Sequence, residues 1–371
     1  HFAPEHDRDW IRVRSRLGAR AETGRHLWEV RLVNEHRHVL TPDLDLDWDE
    51  VLVDRLLWRW SPREDLTVSM GRQDIIWPGG FLVLEGHPLD GSRTIFHDGV
   101  RLQAELGWGR LDAAVVHNQQ RADLVLIDDL HRDLTLGEET GFLARVARGD
   151  WSGAFIVKDS DGAGDLRTWT WSGRYHGPLA GWGDLEAELA VQRQDGRVAT
   201  VTPDGMTPRG DGWALAGQAF LARPLGAGDL TVGGFYYSGP GEHLEPFHAP
   251  WGDWPKWSEL YIYTLLGEST PGRPHVAAWE NVAAPRVELT WPLGERLGAR
   301  AGASWLLAPA AGWSGRGLLL QAELTAGLPY GLDGHLLYEW LDPGAFHDGR
   351  HGLPALEDAV GFLRWQVSWT Y

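Results

Sequence analysis

The sequence predicts an all-β protein, and specifically a transmembrane antiparallel β-barrel, for three reasons. Apolar and polar residues alternate along many segments of about ten residues. Short turns and long loops follow one another regularly between these segments. The chain of 371 residues also contains 22 tryptophans, which favour places where an apolar region meets water. A barrel strand faces lipid on one side and a wet interior on the other, so this combination is typical of it.

The clearest strand is the C-terminal segment 360–371, VGFLRWQVSWTY. One side of this strand consists of the apolar residues Leu363, Trp365, Val367, Trp369 and Tyr371. The opposite side is mostly polar and includes an arginine, Arg364. A strand of a soluble sandwich would bury its apolar side in a core. The polar opposite side and the terminal aromatic residue instead indicate that the apolar side faces lipid.

Composition sets limits on the class of protein. The chain has no run of 18 apolar residues, so no membrane-spanning helix is predicted. The absence of cysteine excludes disulfides and thiol chemistry, and it is compatible with an exported protein. A formal net charge of −18 argues against nucleic acid as a partner. We expect that any leader sequence has been removed before His1.

The alternation predicts seventeen strands in one domain over residues 1–371. The strands are expected at 10–20, 26–35, 51–60, 66–73, 100–108, 111–118, 140–148, 151–158, 168–176, 184–192, 213–222, 230–237, 284–292, 297–307, 317–328, 334–341 and 360–371. The longest loops are expected at about 36–50, 74–99, 119–139, 193–212, 238–283 and 342–359. Short turns on one side of the membrane and long loops on the other are the asymmetry of a bacterial outer-membrane barrel.

The odd strand number has a consequence for the topology. Single-chain bacterial barrels have even numbers of strands. We therefore expect eighteen strands, with one more preceding His1; the alternative is sixteen, with one strand assigned wrongly. The apolar segment 258–266 is placed inside the long loop 238–283, folded back into or over the barrel, because counting it as a strand would reverse the order of turns and loops.

Arginines recur on the polar sides of these strands, and three of them share one side of the first strand. Arginine stays charged and can bind a carboxylate with two parallel hydrogen bonds, so a row of arginines suits the passage of an acidic polymer. The alternative is that cross-strand ion pairs merely fill a polar interior. The candidate lining residues are Arg12, Arg14, Arg16, Arg31, Arg55, Arg59, Arg101, Arg145, Arg174, Arg286, Arg300 and Arg364, with Glu105 and Glu288 among the interspersed acids.

Short motifs spread over most of the chain resemble the alginate-export family of outer-membrane porins. They are RVRSRLG (12–18), DRLLWRW (54–60), GRQ (71–73), FHDGVRL (96–102), PKWSELY (255–261) and the terminal strand. The resemblance implies an eighteen-stranded monomeric barrel that passes an anionic polysaccharide through an arginine-lined constriction. It assigns pore-lining roles to Arg55 and Arg72.

Arg72 conflicts with the alternation, because Leu66, Val68 and Met70 share its side of the strand. Either a bulge at Gly71 turns Arg72 inward, or Arg72 lies at the membrane rim and the family role fails. The many acids on the polar sides also depart from the family pattern, which leaves the substrate open.

The sequence favours a passive channel for an acidic polysaccharide or oligosaccharide in the bacterial outer membrane, and not an enzyme. The alternatives are a structural sleeve for a partner protein and, less favoured, a barrel hydrolase. The expected partners are the lipid bilayer with its lipopolysaccharide, the acidic polysaccharide, and periplasmic export or uptake proteins. The protein is expected to be a monomer.

No cofactor is expected. The acidic segment DSDGAGD resembles part of a calcium loop through Asp159, Asp161 and Asp165, but it lacks the terminal glutamate and the spacing of an EF-hand. An ordinary acidic outer loop is the preferred interpretation.

Overall fold

In the computed structural model, the described part of the chain consists mainly of long antiparallel strands, with three short 3-10 helices. The residues described are 9–41, 48–84, 96–121, 123–128, 137–161, 165–196, 198–202, 205–209, 211–241, 243–252, 257–260, 280–348 and 358–369. In this part of the chain twenty strands are present, and eighteen of them belong to one sheet. No helix of the described residues is long and apolar enough to cross a membrane.

The strands fall into two units. The strands of the first unit are β1 (Asp9–Thr23), β2 (His26–Thr41), β3 (Trp48–Arg63), β4 (Leu66–Gln73), β5 (His97–Leu106), β6 (Gly109–Asn118), β7 (Val125–Asp128), β8 (Glu138–Arg148) and β9 (Trp151–Asp161). Each of these pairs antiparallel with the next, except that β6 pairs with β8 and the short β7 pairs with β3.

The second unit is a continuous antiparallel meander. Its strands are β14 (Gly212–Leu225), β15 (Gly228–Tyr237), β16 (Val282–Pro292), β17 (Leu297–Ala308), β18 (Ser314–Gly327), β19 (Leu332–Pro343) and β20 (Val360–Trp369). Each strand pairs with its sequence neighbour. The 3-10 helices, all in this unit, are Pro309–Ala311, Pro329–Gly331 and Ala345–His347.

Four strands lie between these two sets along the chain. They are β10 (Asp165–Leu179), β11 (Gly183–Gly196), β12 (Val198–Thr202) and β13 (Gly205–Arg209). Residues of β10 and β11 are divided between the two units, and β12 and β13 pair in a separate two-stranded sheet.

All seventeen predicted strands are present, but most of them are longer than predicted. The loop expected at about 36–50 was predicted too long, because β2 extends to Thr41 and β3 begins at Trp48. The predicted loops 119–139 and 193–212 contain the short strands β7, β12 and β13, which the sequence missed. The extension of β2 begins with the polar run HRH at 36–38, which does not alternate, and β7, β12 and β13 are only four or five residues long. The predicted strand before His1 lies outside the chain and stays a prediction.

The apolar sides of the strands are exposed, as the sequence predicted. On β20, Leu363, Trp365, Val367 and Trp369 are 64, 67, 49 and 60% exposed. On β1 the side chains of Arg12, Arg14 and Arg16, which alternate with exposed apolar residues, are only 17, 14 and 23% exposed. Burying guanidinium groups while exposing tryptophan and leucine suits a protein whose surroundings are hydrocarbon. We call the two sides the polar face and the apolar face.

The buried apolar cluster of the first unit comes mainly from segments between strands. Trp77, Leu82, Val83 and Trp251 are 0 to 5% exposed. Val83 forms a parallel bridge with Trp251, whose backbone N–H donates to the Leu82 carbonyl at 2.9 Å. Gly141 of β8 leaves room for the Trp251 ring, since a Cβ there would lie 2.4 Å from it. Segments of two long loops therefore pack together against the polar face of β8.

Candidate functional site

The polar face of the first unit carries a continuous set of charged side chains. We call seven of its arginines the arginine row. Their members are Arg12, Arg14 and Arg16 of β1, Arg31 of β2, Arg55 and Arg59 of β3, and Arg101 of β5. Five carboxylates lie among them: Glu29, Glu35, Asp54, Asp74 and Asp112. The sequence predicted all seven arginines but singled out none of these five carboxylates as site residues.

The first part of the arginine row is formed by β1 and β2. Arg14 Nε donates to Glu35 Oε2 at 2.7 Å, and Arg12 Nη1 lies 4.0 Å from the other oxygen of the same carboxylate. Glu35 is 3% exposed. One buried carboxylate therefore serves two arginines, which fixes both guanidinium groups against the sheet.

Asp54 reaches the arginine row through a β-bulge. The register of β2 with β3 shifts between Arg31 and Leu32, so that Arg31 lies opposite Arg55 while Asp54 has no opposite residue. Strict alternation would place Asp54 with Leu56 on the apolar face. The bulge instead turns it to the polar face, where it is fully buried and accepts from Arg31 Nη2 at 2.8 Å. The residue pattern alone gives no signal for this.

Asp74, in the segment just after β4, interacts with arginines of both β2 and β3. Its carboxylate lies 3.6 Å from Arg31 Nη2 and also pairs with Arg55. Arg55 Nη1 in turn donates to Glu29 Oε1 at 2.7 Å. Arg55, which the resemblance singled out, thus lies on the polar face between two carboxylates.

Arg59 differs from its neighbours in the arginine row. It forms no ion pair within 4 Å in the part of the chain that the structure describes, and its Nε is buried without a hydrogen-bond partner. The charges that act on it are Glu29 and the like charges of Arg101, Arg20 and Arg55. Seven arginines against five carboxylates leave the described row with an excess of positive charge, and Arg59 lies within that excess.

The far part of the arginine row is a two-point ion pair. Arg101 Nε and Nη2 donate to the two oxygens of Asp112 at 2.8 and 2.6 Å. Arg145 of β8 lies directly across from Asp112 in the β6–β8 ladder. Glu105 was also predicted to line the site, but it lies by the β5–β6 turn, where it is exposed and pairs with Arg110.

Arg72 is enclosed within the sheet and does not face open space. Gly71 has a left-handed φ of 109°, which breaks the alternation so that Arg72 is buried, at 3% exposure. The guanidinium donates to Asp98 at 2.8 and 3.0 Å, to Asp123 at 2.6 Å and to the Val53 carbonyl at 2.9 Å. Arg72 lies where the pairing of β3 with β4 ends and the pairing of β3 with β7 begins.

The second unit has a different balance of charges. Arg174 forms an ion pair with Glu186 at 3.2 Å. Arg286 and Arg300 both pair with Glu288, at 2.7 and 3.1 Å. Arg300 also pairs with Glu323, and Arg364 pairs with Glu259. Each of these four predicted arginines has a carboxylate partner, and their four carboxylates equal them in number.

A buried glutamate of β8 and a partly buried lysine of β9 bind a segment from the long loop after β15. Lys158 Nζ lies 2.7 Å from Glu139 Oε1 and donates to the Pro250 carbonyl at 2.6 Å. Glu139 Oε2 accepts from the indole N–H of Trp251 at 2.9 Å. These residues were not predicted, since nothing in the sequence relates positions about a hundred residues apart.

The proposed calcium ligands stay a prediction. Asp159 pairs with Arg167, and residues 162–164 of the segment lie outside the described residues. In the part of the chain that is described, no group of three acidic or histidine side chains could hold a metal ion.

Comparison with solved structures identifies proteins of the same fold. No protein-family model and no curated protein matches the sequence. OccK2 (OpdF) of Pseudomonas aeruginosa, solved in complex with glucuronate, is 14% identical, with a TM-score of 0.55 over 91% of this chain and 89% of its own. Acinetobacter baumannii OccAB1 is 10% identical, with a TM-score of 0.53 over 98% of this chain and 95% of its own. Pseudomonas aeruginosa OprD is 13% identical, with a TM-score of 0.52 over 99% of this chain and 96% of its own.

These neighbours are outer-membrane porins. They confirm the predicted fold class, an antiparallel transmembrane barrel. Their location in the bacterial outer membrane agrees with the location predicted for this chain. The exposed apolar face and the buried arginines are therefore those of a chain with the fold of the outer-membrane β-barrel porins.

Proposed function

We propose that this protein is a passive outer-membrane channel for acidic saccharides, of the class to which alginate-like polysaccharides and oligosaccharides belong. The observation that supports this most directly is the positive excess of the arginine row, in which Arg59 forms no ion pair within the described part of the chain. A uronic acid polymer has a carboxylate on each sugar, and arginine binds that group strongly and with defined geometry.

The carboxylates of the arginine row suit transport rather than tight binding. Glu29 and Asp74 already occupy Arg55, so an entering carboxylate must compete with them. Conduction requires sites that are favourable enough to enter and weak enough to leave. Because the arginines of the row are also bound by the protein's own carboxylates, an acidic solute can bind one arginine, be displaced, and move on to the next.

Two further observations support the choice of substrate class. The motifs around Arg14, Arg55 and Arg101 resemble those of the alginate-export family. A protein of the same fold, OccK2, has been solved with a bound uronic acid, glucuronate. The protein is further proposed to act as a monomer, surrounded by lipid and lipopolysaccharide.

Planar-bilayer recording tests this function. The purified protein should prefer chloride over potassium in a salt gradient. Uronate oligomers should reduce the current, whereas neutral oligosaccharides of the same length should not. Cation preference of the wild-type channel, or equal reduction by the neutral sugars, would contradict the proposal.

A further inference from the structure

The segment Trp257–Leu260 lies on the polar face of the second unit. The carbonyl oxygen of Trp257 accepts from Gln321 Nε2 at 2.9 Å and from Arg286 Nη1 at 3.2 Å. The Trp257 ring stacks on Phe235 of β15, with ring centres 5.0 Å apart and planes 26° from parallel. A piece of a long loop is thus bound to side chains of three different strands.

Glu339 of β19 is the centre of this attachment. Its carboxylate is buried, and the residue is 1% exposed. Oε2 accepts from Ser258 Oγ at 2.8 Å and from the Leu260 N–H at 2.7 Å, while Oε1 accepts from the Glu259 N–H at 3.3 Å. Gln321 also donates to Oε1. Each of these four partners donates to Glu339, an arrangement that suits the two acceptor oxygens of a carboxylate.

Two predicted lining arginines also take part in this attachment. Arg364 pairs with Glu259 of the segment and donates to Gln366 Oε1 at 2.8 Å. Arg286 divides its donors between the Trp257 carbonyl and Glu288. Their guanidinium groups therefore hold the segment in place, which leaves less of their charge for a passing anion than Arg59 has.

We propose that Glu339 is a positioning residue that fixes Trp257–Leu260 on the polar face, and that this fixed segment limits the conductance of the channel. The inference rests on the proposed channel function. It assigns Arg286 and Arg364 to the support of the segment, and leaves the recognition of the acidic solute to the arginine row.

The test compares Glu339→Gln with Glu295→Gln, a matched change at an exposed position in the β16–β17 turn. In Glu339→Gln the new NH2 group would face groups that themselves donate hydrogen bonds, so that buried donors would lose their acceptor. We expect hydrogen exchange at the Leu260 amide to become about tenfold faster in Glu339→Gln, since about 1.4 kcal/mol of lost stabilisation corresponds to tenfold. In potassium chloride the variant should show larger and noisier single-channel currents.

A second variant covers the case in which Glu339→Gln does not assemble. Ser258→Ala removes one donor and keeps the buried carboxylate with its other partners, so the same changes should appear to a smaller degree. Unchanged exchange at Leu260 in both variants would overturn the role of Glu339. Faster exchange with unchanged currents would overturn the role of the segment in conduction. A wild-type protein that forms no channel would instead overturn the proposed function, while the exchange measurement would still report on the attachment.

Discussion

The polar faces of the two units contain the same residue types in different proportions. In the first unit the arginine row outnumbers its carboxylates, and Arg59 has no ion pair with any residue that the structure describes. In the second unit each predicted arginine has a carboxylate partner, and Arg286 and Arg364 are also bound to a folded-back segment. Alternation along a strand determines which face is charged, whereas the balance of charge depends on bulges and loop segments that supply the opposite sign. The two faces are therefore expected to respond differently to the same change.

Charge reversal in the arginine row should have the largest effect. In the double variant Arg55→Glu and Arg59→Glu, the anion preference measured from reversal potentials should fall by about tenfold or more, because about 1.4 kcal/mol of changed interaction with a permeating ion gives tenfold. The double variant Arg174→Glu and Arg300→Glu in the second unit reverses the same number of charges and should change the preference less. Equal changes in both would remove the distinction between the two faces.

Removal of the Glu139 carboxylate tests the loop attachment of the first unit. Glu139→Ala leaves the Lys158 ammonium and the Trp251 N–H without this partner, and breaking such a buried pair costs about 3 kcal/mol. Urea unfolding in lipid vesicles, followed by tryptophan fluorescence, measures the change. Glu138→Ala, at the exposed neighbouring position, should have little effect. If both variants unfold at the same urea concentration, Glu139 does not anchor the segment.

Gly71→Ala tests how Arg72 comes to be buried. The new Cβ would lie 2.2 Å from the Leu56 carbonyl oxygen, and φ at this position is 109°. We expect a loss of about 2 kcal/mol or more in the free energy of unfolding. Gly24→Ala changes a turn glycine that also has positive φ but nothing within 4 Å, so it should cost only about 1 kcal/mol. Equal losses in the two variants would show that the contact with Leu56 is unimportant.

An effect of pH on stability is expected in the second unit. Burial raises the pKa of Glu280, in the segment before β16, to about 8 from its ordinary value of 4.5, and the charge of Arg316 opposes part of this rise. The folded state thus favours the protonated acid. The stability that this group contributes is complete below pH 4.5 and is lost as the pH rises through about 8.

Glu280→Gln should remove this dependence on pH. The melting temperature of the wild type should therefore fall relative to that of the variant between about pH 5 and pH 9. A constant difference between the two proteins across this range would show that Glu280 does not titrate in the folded protein.

Much of the fold was predictable because one physical rule repeats along the chain. Each spanning strand must show lipid an apolar side, so the alternation at Leu363, Trp365 and Val367 identified β20. The same rule identified the polar face of Arg12, Arg14 and Arg16. It gave no signal over the last residues of β2, because the polar run HRH at 36–38 interrupts the apolar alternation in the sequence.

The candidate site was only half predictable. Arginines on regular strands were placed correctly by counting residues in steps of two. Asp54 and Arg72 were not, since a bulge in one case and a left-handed glycine in the other change the side on which a residue lies. The partners of Glu139 and Glu339 could not be found at all, because they come from a loop about eighty to a hundred and ten residues away in the chain.

The sequence by itself determined that this protein is made of strands with one apolar and one polar side, and that the polar side is rich in arginine. These properties are local, since they follow from the period of the strand and the identity of each residue. Only the tertiary structure decided which carboxylate meets which arginine, and which loop segments cover the polar face. Those outcomes depend on register, bulges and contacts between distant parts of the chain, and no local pattern encodes them.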